Sequence, residues 1–138
     1  MTRAVAIALK IPDNTAFTAA VALRRLGVGV ERVERSEIYF FDDGGDVPAL
    51  IERITADETI FNPNTHRLTV LDEAAPRPGE VWIEPLDPVT LSVSKGDGEK
   101  AATSWRLLGR NDASLDQEAL RAAAERLLCN PAIERAVY

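Results

Sequence analysis

The side chains that could carry catalysis or metal binding are few in this chain. His66 is the only histidine and Cys129 the only cysteine among 138 residues. The usual zinc site needs several histidine or cysteine ligands, and a disulfide needs two thiols. A hydrolase built on His66 would need a distant serine or Cys129, and no nucleophile-elbow motif is present. We therefore predict a structural or surface role for His66, and for Cys129 the role of a small buried hydrophobe.

Two acidic clusters, Asp42-Asp43-Asp46 and Asp57-Glu58, offer the oxygen ligands that hard cations prefer. Solvated turns and helix caps have the same composition, so the clusters do not by themselves indicate a metal. The glycine-rich stretches DDGG and KGDGEK lack the residue order of a phosphate-binding loop. We predict no catalytic residue, no metal site and no cofactor. A stand-alone enzyme that uses these acids, with or without a metal, is left open as an alternative.

The charge pattern argues against nucleic acid as a partner. The chain has 16 basic and 22 acidic residues, a net charge of −6, and its only lysines are Lys10, Lys95 and Lys100. A basic face of the kind that binds phosphates is therefore not expected. The single cysteine suits a reducing compartment, and the apolar N-terminal run is too short to span a bilayer. We predict a cytoplasmic protein without a membrane or nucleic-acid partner.

The first half of the chain predicts the order strand, helix, long strand, helix, strand. Apolar residues alternate with a period of two in the strands and recur every three or four residues in the helices. Asp13, Asn14 or Thr15 could each cap the first helix. Two helices over a mainly antiparallel sheet make an α+β sandwich. The predicted elements are a strand at Arg3–Ile11, a helix at Ala16–Leu26, a strand within Val28–Asp42 that is long or bulged near Arg35–Ser36, a helix at Val47–Ala56 and a strand at His66–Leu71.

The second half begins after a connector rich in proline and glycine. A capping box at Ser114 and Gln117 predicts where its helix starts. The predicted elements are strands at Val81–Leu86, Val89–Ser94 and Thr103–Leu108, a turn at Lys95–Lys100, a helix at Leu115–Cys129 and a strand at Ile133–Tyr138. A clear counterpart of the first helix is missing from this half.

A phrase containing Asn-Pro occurs twice, 68 positions apart (130 minus 62). The same shift places Ser36 on Ser104 and Arg53 on Arg121. An Asn-Pro stop after a helix is common, because the residue before proline avoids the helical region, so chance remains an alternative to duplication. The order of elements around the two phrases favours duplication. We select as a candidate structural or interface motif Asn62, Pro63, Arg67, Asn130, Pro131 and Arg135.

Around these motifs the chain resembles the PurS family, the small subunit of phosphoribosylformylglycinamidine synthase. The segments that carry the resemblance are VAIALKIPDNTAFTAAVALRRLG, VERVERSEIYFF, IFNPNTHRLTVL and RLLCNPAIERAVY. In the last of these, the family's tail pattern is matched by Leu128, Asn130, Ile133, Glu134 and Arg135. The resemblance covers nearly all of residues 3–71 and, in the second half, roughly 103–138. Where family members carry Asp-Pro-x-Gly and Gly-Lys, this chain keeps only Asp13 of the first and has Ser36-Glu37 for the second.

The resemblance implies a ferredoxin-like two-layer sandwich made of tandem PurS-like halves with antiparallel sheets. The units would be residues 1–73 and 81–138, joined by a linker at 74–80, with the second unit partly decayed; the two could form one compact pseudo-dimeric domain. It also implies a non-catalytic assembly subunit, which in the family is thought to bridge the synthetase and the glutamine amidotransferase. We expect protein partners from such a glutamine-dependent amidoligase complex.

Two further expectations come from the residues themselves. The consecutive aromatics Tyr39–Phe41 would point to both faces of a strand, which predicts an exposed aromatic face and association between sheets, and hence a homo-oligomer. Two-layer α/β repeats of this size can also hold an effector between them. A small-molecule-sensing module, similar to ACT-like regulatory domains, is therefore the alternative to an assembly subunit.

Overall fold

The computed structural model describes residues 2–42, 44–86 and 99–138, which form an α+β fold of one six-stranded antiparallel sheet and three helices. The strands are β1 Thr2–Leu9, β2 Arg32–Asp42, β3 His66–Val70, β4 Glu80–Pro85, β5 Glu99–Leu108 and β6 Glu134–Val137. The helices are α1 Asn14–Arg25, α2 Val47–Thr55 and α3 Gln117–Ala123, and α3 continues as a π-helical segment, Ala124–Leu128. This agrees with the predicted α+β class. None of these helices has the length and apolar character needed to cross a bilayer.

The two longest strands, β2 and β5, pair at the centre of the sheet. The strand order is β3-β1-β2-β5-β4-β6, and Ser36 of β2 lies directly opposite Ser104 of β5. Of the two alternatives predicted for this region, the single long strand is observed, and the bulge near Arg35–Ser36 is not. The register shifts between Ile38 and Tyr39, and Ala101 of β5 is the extra residue at that point.

All three helices bury one stripe of side chains on the same face of the sheet, which we call the helix face. In α2, Leu50 and Ile54 pack on Val5 and Ile7 of β1, whereas α1 and α3 share a cluster that includes Leu107. Each large apolar side chain buried in this way contributes on the order of 1.5–3 kcal/mol to the stability of the folded state. The buried stripe residues are Ala16, Ala19, Ala20 and Leu23 in α1, Leu50 and Ile54 in α2, and Leu120 and Ala123 in α3.

Each helix begins at an aspartate whose carboxylate accepts backbone N–H groups. Asp13 caps α1, Asp46 caps α2 and Asp116 caps α3, with Asp116 Oδ1 accepting from the N–H of Ala119 at 2.9 Å. The predicted capping box at Ser114 is therefore wrong. Ser114 instead forms an isolated bridge with Leu108, and Asp116, two residues later, starts the helix.

Other predicted bounds are close to those observed or fall on residues that the structure does not describe. The long strand begins at Arg32 rather than Val28, and the final strand is Glu134–Val137. The predicted strand Val89–Ser94 and residues 95–98 of the predicted turn lie outside the described residues. Glu99 and Lys100, assigned to that turn, begin β5.

The opposite face of the sheet carries no helix among the described residues but is also largely buried. Its apolar cluster consists of Ala4, Ala6, Ile38, Leu71, Trp82 and Ala102. Phe40 packs against this cluster, whereas Phe41 is buried under α2 on the helix face and Tyr39 is half-buried. The expected exposed aromatic face is therefore not present on β2, because both of its sides are already covered in part.

A buried carboxylate fixes the start of β4 on this helix-free face. Glu80 is 1% exposed, and its carboxylate accepts from the Arg77 guanidinium (Nη2 to Oε2, 2.9 Å), the Arg77 backbone N–H (2.7 Å) and the Ser104 hydroxyl. Burial alone would raise the pKa of Glu80, but the hydrogen bonds from Arg77 and Ser104 outweigh it and hold the pKa below the ordinary 4.5. The ionised form therefore ties the connector to the central strand β5.

We expect Glu80→Ala to lower the free energy of unfolding by about 3 kcal/mol, because it removes one member of a buried ion pair and leaves Ser104 without its acceptor. The exposed connector residue Glu73 supplies the control, and Glu73→Ala should change that free energy by no more than about 0.5 kcal/mol. Urea unfolding at neutral pH measures both. Equal stability of the two variants would contradict the role of Glu80.

The lowered pKa of Glu80 also gives a pH dependence. A carboxyl with a depressed folded-state pKa stabilises the fold above its unfolded value, near 4.5, and loses that contribution as the pH falls through the folded value. The stability gap between the wild type and Glu80→Gln should therefore be largest at neutral pH and should close below pH 4.5. A gap that stays constant across the acid range would show that the charge of Glu80 is not the stabilising feature.

Candidate functional site

The first Asn-Pro phrase folds as a tight turn between α2 and β3. The side-chain Oδ1 of Asn62 accepts from the N–H of Asn64 at 2.9 Å, and its backbone carbonyl accepts from Thr65 (3.1 Å) and His66 (2.7 Å). Pro63 is the second residue of this turn, a position where the φ angle fixed by the proline ring is favourable. Asn62 therefore stabilises the turn through both its side-chain oxygen and its backbone carbonyl.

The second phrase forms the same turn between the π-helical segment and β6. The Oδ1 of Asn130 accepts from the N–H of Ala132 at 3.1 Å, and its carbonyl accepts from Ile133 (3.0 Å) and Glu134 (2.8 Å). Every one of these hydrogen bonds is displaced by 68 positions from its counterpart in the first turn. Thus the two phrases share a hydrogen-bond pattern as well as a sequence.

A further contact closes each turn with a different chemical group. The N–H of Asn62 donates to Nδ1 of His66 at 2.9 Å, and the N–H of Asn130 donates to Oε1 of Glu134 at 2.9 Å. Because Nδ1 is an acceptor there, the neutral His66 ring carries its proton on Nε2. This contact agrees with the structural role predicted for His66.

The two predicted arginines occupy the second position of the edge strands, but their surroundings differ. Arg135 of β6 donates to the carboxylate of Glu84 on β4. Arg67 of β3 lines a cleft at the end of the sheet together with Lys10 and Glu34. The structure thus brings the Asn-Pro pairs and arginines to two ends of the sheet and not into one site.

The surfaces beside the two turns differ in polarity. Ile133 in the second turn is 62% exposed and accepts, through its carbonyl, the N–H of Leu86, which is 38% exposed. We call these two residues the Leu86–Ile133 patch. The corresponding backbone contact at the first turn joins two polar residues, Lys10 and Thr65, at 2.8 Å, and the neighbouring Ile11 is 50% exposed.

Two of the acids singled out in the sequence, Asp46 and Asp57, stabilise local structure. Asp46 is a helix cap, and Asp57 closes a turn in which hydrogen bonds from Thr59 lower its pKa. Cys129 is half-buried, and burial raises the pKa of its thiol. Within the described residues, which omit Asp43, no three His, Cys, Asp or Glu side chains group as metal ligands.

Two polar groupings escaped the sequence analysis. One is the buried Glu80 network, and the other is an ion pair between Asp13 and Arg35, residues 22 positions apart, at the opening of a small cavity on the helix face. In both cases the partners come from different elements. In the sequence, the only local signal for the Glu80 network was an acid at the end of the proline-rich connector. The only local signal for the Asp13–Arg35 pair was the alternation of charges along β2.

Comparison with known proteins adds no assignment. The chain matches no protein family, no curated protein and no solved structure.

The Asn-Pro turns can be tested as a matched pair. Asn62→Ala and Asn130→Ala should each lower the free energy of unfolding by about 1 kcal/mol, because each leaves a turn N–H without its side-chain acceptor. Asn62→Asp and Asn130→Asp keep that acceptor and should stay within about 0.5 kcal/mol of the wild type. Urea unfolding of the four variants measures these free energies. If the alanine and aspartate variants were equally stable, the side-chain acceptor would not stabilise the turns.

Proposed function

We propose that this protein is a non-catalytic assembly subunit of the PurS type, made of two PurS-like units in one ferredoxin-like pseudo-dimer. In this proposal β2 and β5 are equivalent strands that join the units, as two subunits would be joined in a dimer. The chain would contribute binding surface, not reacting groups, to a glutamine-dependent amidoligase complex in the cytoplasm.

The register of the central strand pair supports the duplication most directly. In a symmetric antiparallel pair, the residue on the two-fold axis lies opposite its own equivalent. Ser36 lies opposite Ser104, and these two serines are related by the same 68-position shift as the Asn-Pro turns. The 68-position shift comes from the sequence and the Ser36–Ser104 pairing from the structure, so the two observations are independent. If the sequence recurred only by chance, it would not be expected to agree with the strand register.

The order of the strands gives further support. Read from its centre outward, the sheet runs β2-β1-β3 on one side and β5-β4-β6 on the other, so each strand of the first half has a counterpart in the second. The caps Asp46 and Asp116 are 70 positions apart, not 68 (116 minus 46). Arg53 and Arg121 therefore hold different helix positions, and their match in sequence does not support the repeat.

An assembly role also needs a surface, and we assign it to the Leu86–Ile133 patch. Leu86 and Ile133 are exposed, apolar and joined by a backbone hydrogen bond, and exposed apolar side chains that lie together can mark a protein contact. Lys10 and Thr65 occupy that equivalent position at the first turn. We infer that the partner docks against the second unit's end of the sheet.

The matched pair Ile133→Asp and Thr65→Asp tests this role, because the two positions are equivalent and only one is apolar. The tagged wild-type chain should co-purify with the synthetase or amidotransferase subunit of its own cell. Ile133→Asp should weaken that association at least tenfold, or about 1.4 kcal/mol, whereas Thr65→Asp should not. A wild-type chain that retains neither subunit overturns the assembly role, and equal losses in the two variants overturn the choice of surface.

A further inference from the structure

A small polar cavity lies on the helix face, where β1 ends and α1 begins. Its volume is about 110 Å³, and it is lined by Ile7, Ala8, Leu9, Asp13, Arg35, Ser36, Glu37 and His66. These residues come from β1, the α1 cap, the middle of β2 and the start of β3. Charged groups of both signs therefore meet over an apolar floor formed in part by the buried Ile7.

Arg35 is the cation of the cavity, and only one edge of its guanidinium is engaged by Asp13. The Nε of Arg35 contacts Oδ2 of Asp13 at 3.1 Å, and its Nη2 contacts Oδ1 at 3.4 Å. The side chains are 29% and 15% exposed, so the pair is held in a partly desolvated place. A guanidinium has five N–H groups, which leaves the Nη1 amino group of Arg35 for another acceptor.

His66 adds a second donor beside this cation. Its Nδ1 accepts the N–H of Asn62, so Nε2 carries the proton of the neutral ring. The Asn-Pro turn thus fixes which nitrogen of His66 donates. An amino group on Arg35 and an N–H on His66 are the donors that a small carboxylate requires.

Glu37 supplies the opposite charge on the same lining. Its carboxylate accepts from the Tyr39 hydroxyl at 3.2 Å and lies 3.6 Å from the Lys100 ammonium. Both members of the Glu37–Lys100 pair are nearly half exposed, and ion pairs of that kind are worth little and exchange readily. Glu37 can therefore accept an ammonium group from a ligand in place of Lys100.

We propose that this cavity binds a small zwitterion, with its carboxylate on Arg35 and His66 and its ammonium on Glu37. The volume of 110 Å³ equals that of roughly three to four liquid waters, which suits the smallest amino acids. Pockets for drug-sized ligands measure about 300–1,000 Å³, so a nucleotide does not fit. This inference does not depend on the assembly role; it would make the chain a sensor as well.

The second half of the chain has no copy of this site. The 68-position shift places Thr103 at the position of Arg35, Trp105 at that of Glu37 and Glu134 at that of His66. The cation and the histidine donor are thereby lost. One ligand per chain is expected.

Titration of the full chain by NMR, following backbone amides, tests the proposal with glycine, L-alanine and L-serine as probes. Acetate and methylamine are the controls, since each supplies one of the two charged groups. L-alanine should give saturable shifts at the amides of Arg35, Glu37 and His66, with an affinity at least tenfold above that of either control. If acetate bound as tightly as L-alanine, the cavity would be an anion site, and the proposal that it binds a zwitterion would be overturned.

Variants give the second arm of the test. Glu37→Gln should weaken L-alanine binding at least tenfold without weakening acetate binding, because the ammonium contact is lost while the carboxylate contacts remain. Arg35→Gln should weaken both, and Glu134→Gln, at the equivalent position of the other half, should change neither. No saturable shift with any probe up to about 10 mM, well above a 1 mM dissociation constant, overturns the proposal and leaves the subunit capture experiment unaffected.

Discussion

The antiparallel pairing of β2 with β5 is the constraint on which the other features of this molecule depend. It joins the two halves of the chain across the centre of the sheet, with Ser36 opposite Ser104. Successive strand residues point to opposite faces, so a slip of one residue would turn Leu107 away from α1 and α3 and expose it on the other side. On its other side β5 pairs with β4, and that register places Trp82 opposite Ser104 and brings Ser104 to Glu80. The two pairings of β5 thus position both the helical core and the buried carboxylate.

The two faces of the sheet differ in the interactions that hold their buried residues. On the helix face, apolar stripes from the three helices fill most of the surface, and the polar residues that remain line the small cavity beside Arg35. On the helix-free face, a charged network holds the connector, because ionised Glu80 is stable there only with Arg77 and Ser104 in place. Glu80 thus joins the connector to β5, and the Asp13–Arg35 pair joins the start of α1 to β2.

Local features of the fold were predictable from the sequence, and pairings between distant residues were not. Helix α2 follows from one apolar stripe behind an aspartate, and it was predicted to within one residue. The cap of α3 was missed because Ser114 and Asp116 both satisfy the local rule, and the choice between them depends on the bridge from Ser114 to Leu108. Likewise, the charges interleaved along β2 do not show which partner Arg35 has. The role of Arg35 at the cavity depends on Asp13, which reaches Arg35 only once α1 is folded back onto the sheet.

The two Asn-Pro turns indicate how function could arise in a chain built from related halves. Each turn is closed by an asparagine side chain, two backbone bonds and the side chain of His66 or Glu134, which leaves the other side chains of the turn under little structural constraint. At one such position, one end of the sheet carries Thr65 and the other carries Ile133. Since the backbones agree, this difference is not needed for folding. Under the proposed duplication, the binding properties of the protein are therefore expected where the two halves differ, while the positions that they share maintain the common fold.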